Sequence, residues 1–98
     1  MYNSTIVDDV VNHVDARGWG DYGWYVGIAT DVKTRLFTDH KVDEANGVWI
    51  YRKASSETEA RDTEKELLEQ KNFKGGPGGG DHPLYVYAYK ITKTTFES

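Results

Sequence analysis

The sequence predicts a small α/β (α+β) domain with helices packed on a three-stranded sheet, in the order α-β-α-β-α-β. Three observations carry this. Apolar residues recur at helical spacing near the N-terminus and again around residues 60–68, each stretch opened by capping residues. Three short segments alternate at period two or are rich in β-branched and aromatic residues. Glycine breakers punctuate the pattern, and 98 residues fit one domain.

Residues 4–17 read as a helix. Ser4 or Thr5 can cap it, and Asp8 and Asp9 fall in its first turn, where the helix dipole favours negative charge. Ile6, Val7, Val10, Val11 and Val14 share one face, and Gly18 stops the helix. The stretch Gly18-Trp19-Gly20-Asp21-Tyr22-Gly23 is a loop carrying two aromatics. Residues 24–29 form a strand with Trp24, Val26 and Ile28 on one side and Tyr25, Gly27 and Ala29 on the other.

Thr30 or Asp31 caps a short helix to about Asp39, and a polar turn, Asp43 to Gly47, leads to a second strand over 48–53. Ser56 followed by Glu59 is a capping box that opens a long helix to about Gln70. The run from Gly75 to Asp81 breaks regular structure, and the 72–82 loop returns the chain to a third strand over 84–92, with Tyr85, Tyr87 and Tyr89 on one face. The tail 93–98 is polar and expected to be loose.

Composition narrows the function classes. The chain has no Cys, which excludes a disulfide framework and a thiolate metal site. No basic-then-apolar leader is visible at Met1-Tyr2-Asn3, and no apolar run could span a bilayer, so no membrane association is expected and a reducing cytoplasm is the expected location. The formal net charge is −4, so contact with nucleic acid would need a local patch, a metal ion or a partner.

Several residues stand out chemically. Glu64 falls near the centre of the apolar stripe defined by Ala60, Leu67 and Leu68, while Arg61, Asp62, Lys65, Glu66 and Glu69 fall on the opposite side. A carboxylate so placed is either partly exposed beside an Arg or Tyr partner, or a site residue. Tyr25 shares its face with Gly27 and Ala29. That shallow surface admits either a ligand or a closely packed helix. By spacing alone Arg35 reads as a solvated side chain and His40 as a helix cap or surface residue. The glycine run lacks the Gly-Lys-Ser/Thr ending of a phosphate loop, and His82 beside Asp81 is a weak pair.

Together these residues resemble a known family. Tyr25-Val26-Gly27, a short turn, and Arg35 eight residues after Gly27 look like the second half of the GIY-YIG nuclease signature. His40 follows Arg35 by five residues, where the family often places His or Tyr at four, and Ala60 precedes Glu64 by four, as a small residue precedes the family's metal-binding Glu. The resemblance covers roughly residues 24–68, and from Gly23 to Lys90 the chain also resembles short bacterial and phage proteins of unassigned function in that superfamily.

The resemblance implies a three-stranded, mainly antiparallel sheet flanked by helices, and phosphodiester hydrolysis in nucleic acid. One Mg2+ (or Mn2+) would be held by Glu64, phosphate charge would meet Arg35, and Tyr25, Tyr87 and His40 would serve the attacking water. Such chemistry needs positioning and charge neutralisation more than covalent help. The chain departs from the pattern in lacking a Gly-Ile-Tyr strand before Tyr25, and no attached DNA-binding module is expected. A circular permutation would repair the first: the last strand would lie beside the Tyr25 strand, with Tyr87 or Tyr85 presenting its hydroxyl. With an acidic chain, nucleic-acid binding would be weak without a partner protein. The alternatives are a catalytically silent scaffold acting as a binding module, or a hydrolase of another phosphate ester.

Overall fold

The computed structural model describes residues 1–75 and 82–97. Expectations that fall on 76–81, the body of the glycine-rich loop, and on Ser98 lie outside the described residues. Helix α1 spans Ser4–Arg17, strand β1 Trp24–Ala29, strand β2 Trp49–Lys53, helix α2 Glu57–Gln70 and strand β3 Tyr85–Lys90, with a π-helical segment at Thr34–Asp39 between β1 and β2. The result is the expected α+β class with a three-stranded antiparallel sheet.

The strand order is β1-β3-β2, so the last strand lies in the middle and pairs antiparallel with both others. Its register sets Tyr25 opposite Tyr89 and Gly27 opposite Tyr87. Lys74 extends the outer edge of β1 by one bridge, accepting from Val26 N–H at 2.8 Å and donating to Trp24 C=O at 2.9 Å.

Period-two alternation gives the sheet two unlike faces. Trp24, Val26, Ile28, Ile50, Val86 and Ala88 meet Ile6, Val7, Val10 and Val14 of α1 and Ala60 and Leu67 of α2 in an aliphatic core. The other face carries Tyr25, Ala29, Tyr87 and Tyr89 under Val32, Leu36 and Val42.

Three local expectations change. The α1 cap is Asn3, whose side chain accepts from Ile6 N–H at 3.1 Å, so Ser4 and Thr5 lie inside the helix and no acid falls in the first turn. Asn3 is held by a second tie that α1 alone could not reveal: its N–H donates to Thr63 Oγ1 at 2.9 Å and its amide to Glu59 at 3.0 Å. The Ser56 cap forms, accepting from Glu59 N–H at 3.1 Å. The Glu59 carboxylate, however, accepts from Ser55 N–H and Asn3 rather than closing the reciprocal box. Finally, the tail is tied rather than loose: Phe96 N–H donates to His40 C=O at 2.7 Å.

Candidate active site

The tyrosine-bearing face becomes a site because of what lies over it. Asp31 opens the covering segment by accepting from Thr34 N–H and Thr34 Oγ1, at 3.2 and 2.9 Å. The chain then winds as a π-turn, with His40 N–H donating to Arg35 C=O at 2.9 Å. A ladder that skips five residues closes a turn over five positions instead of four. The five-residue step from Arg35 to His40 therefore returns to nearly the same side, as a four-residue step does in an α-helix. The extra residue noted in the sequence is absorbed by the helix type.

His40 is consequently buried rather than a surface cap, at 1% exposure. Its Nε2 stands 2.7 Å from Tyr87 Oη and its Nδ1 stands 2.6 Å from Phe96 C=O. A carbonyl only accepts, so Nδ1 carries the proton and Nε2 accepts from the Tyr87 hydroxyl. Tyr89 Oη lies 3.1 Å from the same Nδ1 and donates to the Glu97 carboxylate at 2.8 Å. Burial lowers the His40 pKa despite the Phe96 carbonyl and the Glu97 and Asp39 charges, and Arg35 lowers it further, so the ring is neutral at pH 7.

Tyr25 stacks on this group, its ring 4.7 Å from His40, 5.3 Å from Tyr89 and 6.4 Å from Tyr87. Gly27 is what lets Tyr87 lie flat across β1, since a Cβ there would stand 2.4 Å from Tyr87 Oη. Of the two uses left open for that glycine, close packing is the one realised, and the packing partner is the site tyrosine itself. Tyr85 serves elsewhere, packing edge-on against Tyr51 at 5.9 Å.

Arg35 is not a freely solvated side chain. Its guanidinium pairs with Asp39 at 3.4 Å, and its Nε is buried without a hydrogen-bond partner among the described residues. Burial works against its charge, yet the Tyr87 oxygen, Asp39 and Tyr25 outweigh that and raise its pKa. The Tyr87 hydroxyl is itself pushed far up by burial, which the Arg35 cation and its hydrogen bond only partly oppose.

Glu64 enters from α2, which packs on β1 from the aliphatic side. The centre of its buried stripe is Thr63, fully buried with Ala60 and Leu67, and Glu64 sits half-buried at the margin. Burial pushes its carboxyl up to about 7, opposed by Arg61, and its charge is felt at the Tyr87 hydroxyl. Among the described residues no group of three or more His, Asp or Glu gathers as a metal cage. Mg2+ is commonly held by only one or two carboxylates and completed by water and phosphate, and Glu64 is the carboxylate that would take that part. A cation would also relieve the cost of ionising Glu64.

Tyr25, Arg35, His40 and Tyr87 therefore come together on one face, whereas Glu64 stands on α2, which packs on the aliphatic side, and only its charge is felt at the Tyr87 hydroxyl. Spacing did not reveal Tyr89, Glu97 and the Phe96 carbonyl as parts of this network. The only hint was that Tyr89 shares the Tyr87 side of its strand. His82 turns instead to Glu57, at 3.2 Å. Among the described residues no helix is long and apolar enough to cross a membrane. No family model, curated protein or solved structure matches this chain.

Proposed function

We propose that this protein hydrolyses phosphodiester bonds in nucleic acid with one divalent metal, Mg2+ or Mn2+, in the manner of the GIY-YIG nucleases that its sequence resembles. The observation that carries the reading is the Tyr87 hydroxyl, 2.7 Å from a neutral His40 Nε2 and interacting with the Arg35 cation. A buried tyrosine is a poor acid by itself. With Nε2 ready to take its proton and a guanidinium beside the oxygen, it can accept a proton from a water as that water attacks phosphorus. Arg35 meets the charge that grows on the phosphate oxygens, and Tyr25 walls the site. Glu64 is the residue to hold the metal, which supplies further charge neutralisation when bound.

The position of β3 beside β1 favours the permuted arrangement, in which Tyr87 takes the part of the family's first tyrosine. The net charge of −4 makes turnover slow without a partner protein.

The test is cleavage of a labelled oligonucleotide with Mg2+ or Mn2+ by the wild type and by Glu64→Ala, Tyr87→Phe and Arg35→Ala. Metal-dependent cleavage that falls at least about 100-fold in the Tyr87→Phe protein is the expected result. Equal cleavage by all four proteins would sink the assignment. A second reading, a catalytically silent binding scaffold, draws on the depth of the network: His40 and Tyr87 are each 1% exposed. It takes the lead if no diester is cleaved. Activity confined to a small synthetic diester would instead mark a hydrolase of another phosphate ester.

A further inference from the structure

An acidic nuclease needs a local surface on which nucleic acid can rest, and one end of the sheet supplies the parts. The loop between α1 and β1 exposes Trp19 and Tyr22, at 37% and 43%. Trp19 is anchored on Phe73, with ring centres 5.1 Å apart. Tyr22 lines a shallow cavity of about 480 Å3 with Lys90 and Lys93. Two lysine stems converge on the same loop. A Cβ at Gly20 would stand 2.5 Å from Lys90 Cε, and one at Gly23 would stand 3.6 Å from Lys74 Cε.

None of Lys74, Lys90 and Lys93 has an ion pair among the described residues, although the chain carries more acids than bases. Asp21 is the acid in this loop, and among the described residues it forms no ion pair with them. The surface adjoins the site through the backbone: Lys74 bridges to Tyr25, and Lys90 follows Tyr89.

We propose that this surface binds single-stranded nucleic acid, with bases stacked on Tyr22 and Trp19 and phosphates paired with Lys74, Lys90 and Lys93. The proposal deepens the hydrolase reading by naming its substrate class, and it rests on that reading only for the fate of the strand. Exposed aromatic faces beside unpaired cations suit unpaired bases, whose π-faces are free, whereas a duplex keeps its bases stacked and offers phosphates alone. Local cations also explain how a chain of net charge −4 could hold a polyanion.

The experiment is fluorescence anisotropy with a labelled twelve-nucleotide oligothymidylate in EDTA, where metal-dependent cleavage is stopped. Tyr22→Ala is expected to weaken binding by about 5- to 160-fold, the range for loss of one stacked base, and Tyr22→Phe to retain it. The Lys90→Ala/Lys93→Ala pair is expected to lower the slope of log affinity against log salt by about 1.4. No binding by the wild type, equal binding by the Tyr22→Ala and lysine variants, or equal binding of an abasic oligomer or a duplex would overturn the proposal. Glu64-dependent hydrolysis of bis(p-nitrophenyl) phosphate separates the two ideas. Activity there without oligomer binding removes the surface and keeps the hydrolase; binding without any hydrolysis does the reverse.

Discussion

The two faces of the sheet are built from the same three strands, one residue apart, and they do opposite work. On one face Trp24, Val26, Ile28, Val86 and Ala88 bury only apolar groups apart from the Trp24 indole, which donates to Gly18 C=O at 3.0 Å. On the other, Tyr25, Tyr87 and Tyr89 bury hydroxyls and an imidazole, covered by a π-turn and by the segment around Phe96. The first face can be made from any residues that fill volume. The second needs each donor to find one acceptor, because an orphaned buried polar group costs about 1–3 kcal/mol. The β-pleat, rather than a division into domains, separates the aliphatic core from the polar network.

The largest effect on this contrast belongs to the aliphatic face. Leu67→Ala should cost about 2–5 kcal/mol, since Leu67 is fully buried and its loss leaves a cavity. Cleavage per folded molecule should be unchanged below the new melting point. Denaturant melts combined with activity normalised to folded protein check both halves. A matched loss of specific activity would mean that the faces are mechanically coupled.

Glu64 stands at the margin of the aliphatic core on α2, and its effect is next in size. Its carboxyl is raised to about 7 from an unfolded value of 4.5, so the folded state holds its proton over that window more tightly than the unfolded chain does. Stability from this group is therefore present below pH 4.5 and lost as pH rises through 7. Glu64→Gln should be more stable than the wild type by roughly 1–3 kcal/mol at pH 8, allowing for its partial exposure, and indistinguishable at pH 4. Melts at the two pH values decide it. An advantage that is equal at both would mean that the folded and unfolded pKa values agree, so that burial does not penalise the charge. His40 works in the other direction. Its folded pKa lies below the unfolded 6.5, so its contribution is lost as pH falls below 6.5, and Glu64→Gln should expose that acid-side slope.

On the polar face, Tyr87→Phe leaves His40 Nε2 without a donor and should cost about 1–2 kcal/mol while abolishing cleavage. Calorimetry and the cleavage assay together test it. A stable, active variant would show that the hydroxyl serves neither role.

What the sequence revealed of these faces follows its physics. Period-two alternation read β1 and the tyrosine side of β3 correctly, because pleating depends only on local order. The burial of His40 was not legible: an α-helical count puts it on the wrong side, and a π-turn leaves no mark in composition. Asn3 as the α1 cap and Thr63 as the centre of the α2 stripe depend on each other across 60 residues, so neither helix read alone could show them. The Phe96 carbonyl is a backbone group that any residue carries. No residue pattern could single it out.

Glu97 gives the smallest effect and the finest test of the polar face. It touches neither His40 nitrogen. It accepts from Tyr89 Oη at 2.8 Å, and Tyr89 Oη stands 3.1 Å from His40 Nδ1. Its negative charge raises the His40 pKa, partly offsetting burial and the Arg35 cation, which lower it. Glu97→Gln keeps an acceptor for Tyr89 and removes only the charge. The expected stability loss is therefore small, about 0.5–1 kcal/mol. The His40 titration, followed by NMR of its ring carbons, should move to lower pH, with the proton still on Nδ1 because the Phe96 carbonyl remains at 2.6 Å. If His40 acts as the base, the acid limb of the cleavage profile moves down with it, a change that a purely structural Glu97 would not produce. An unmoved titration would show that solvent screens Glu97 from the ring. A switch of the proton to Nε2 would show that the tail carbonyl does not hold the tautomer, and the Tyr87–His40 proton path would lose its direction.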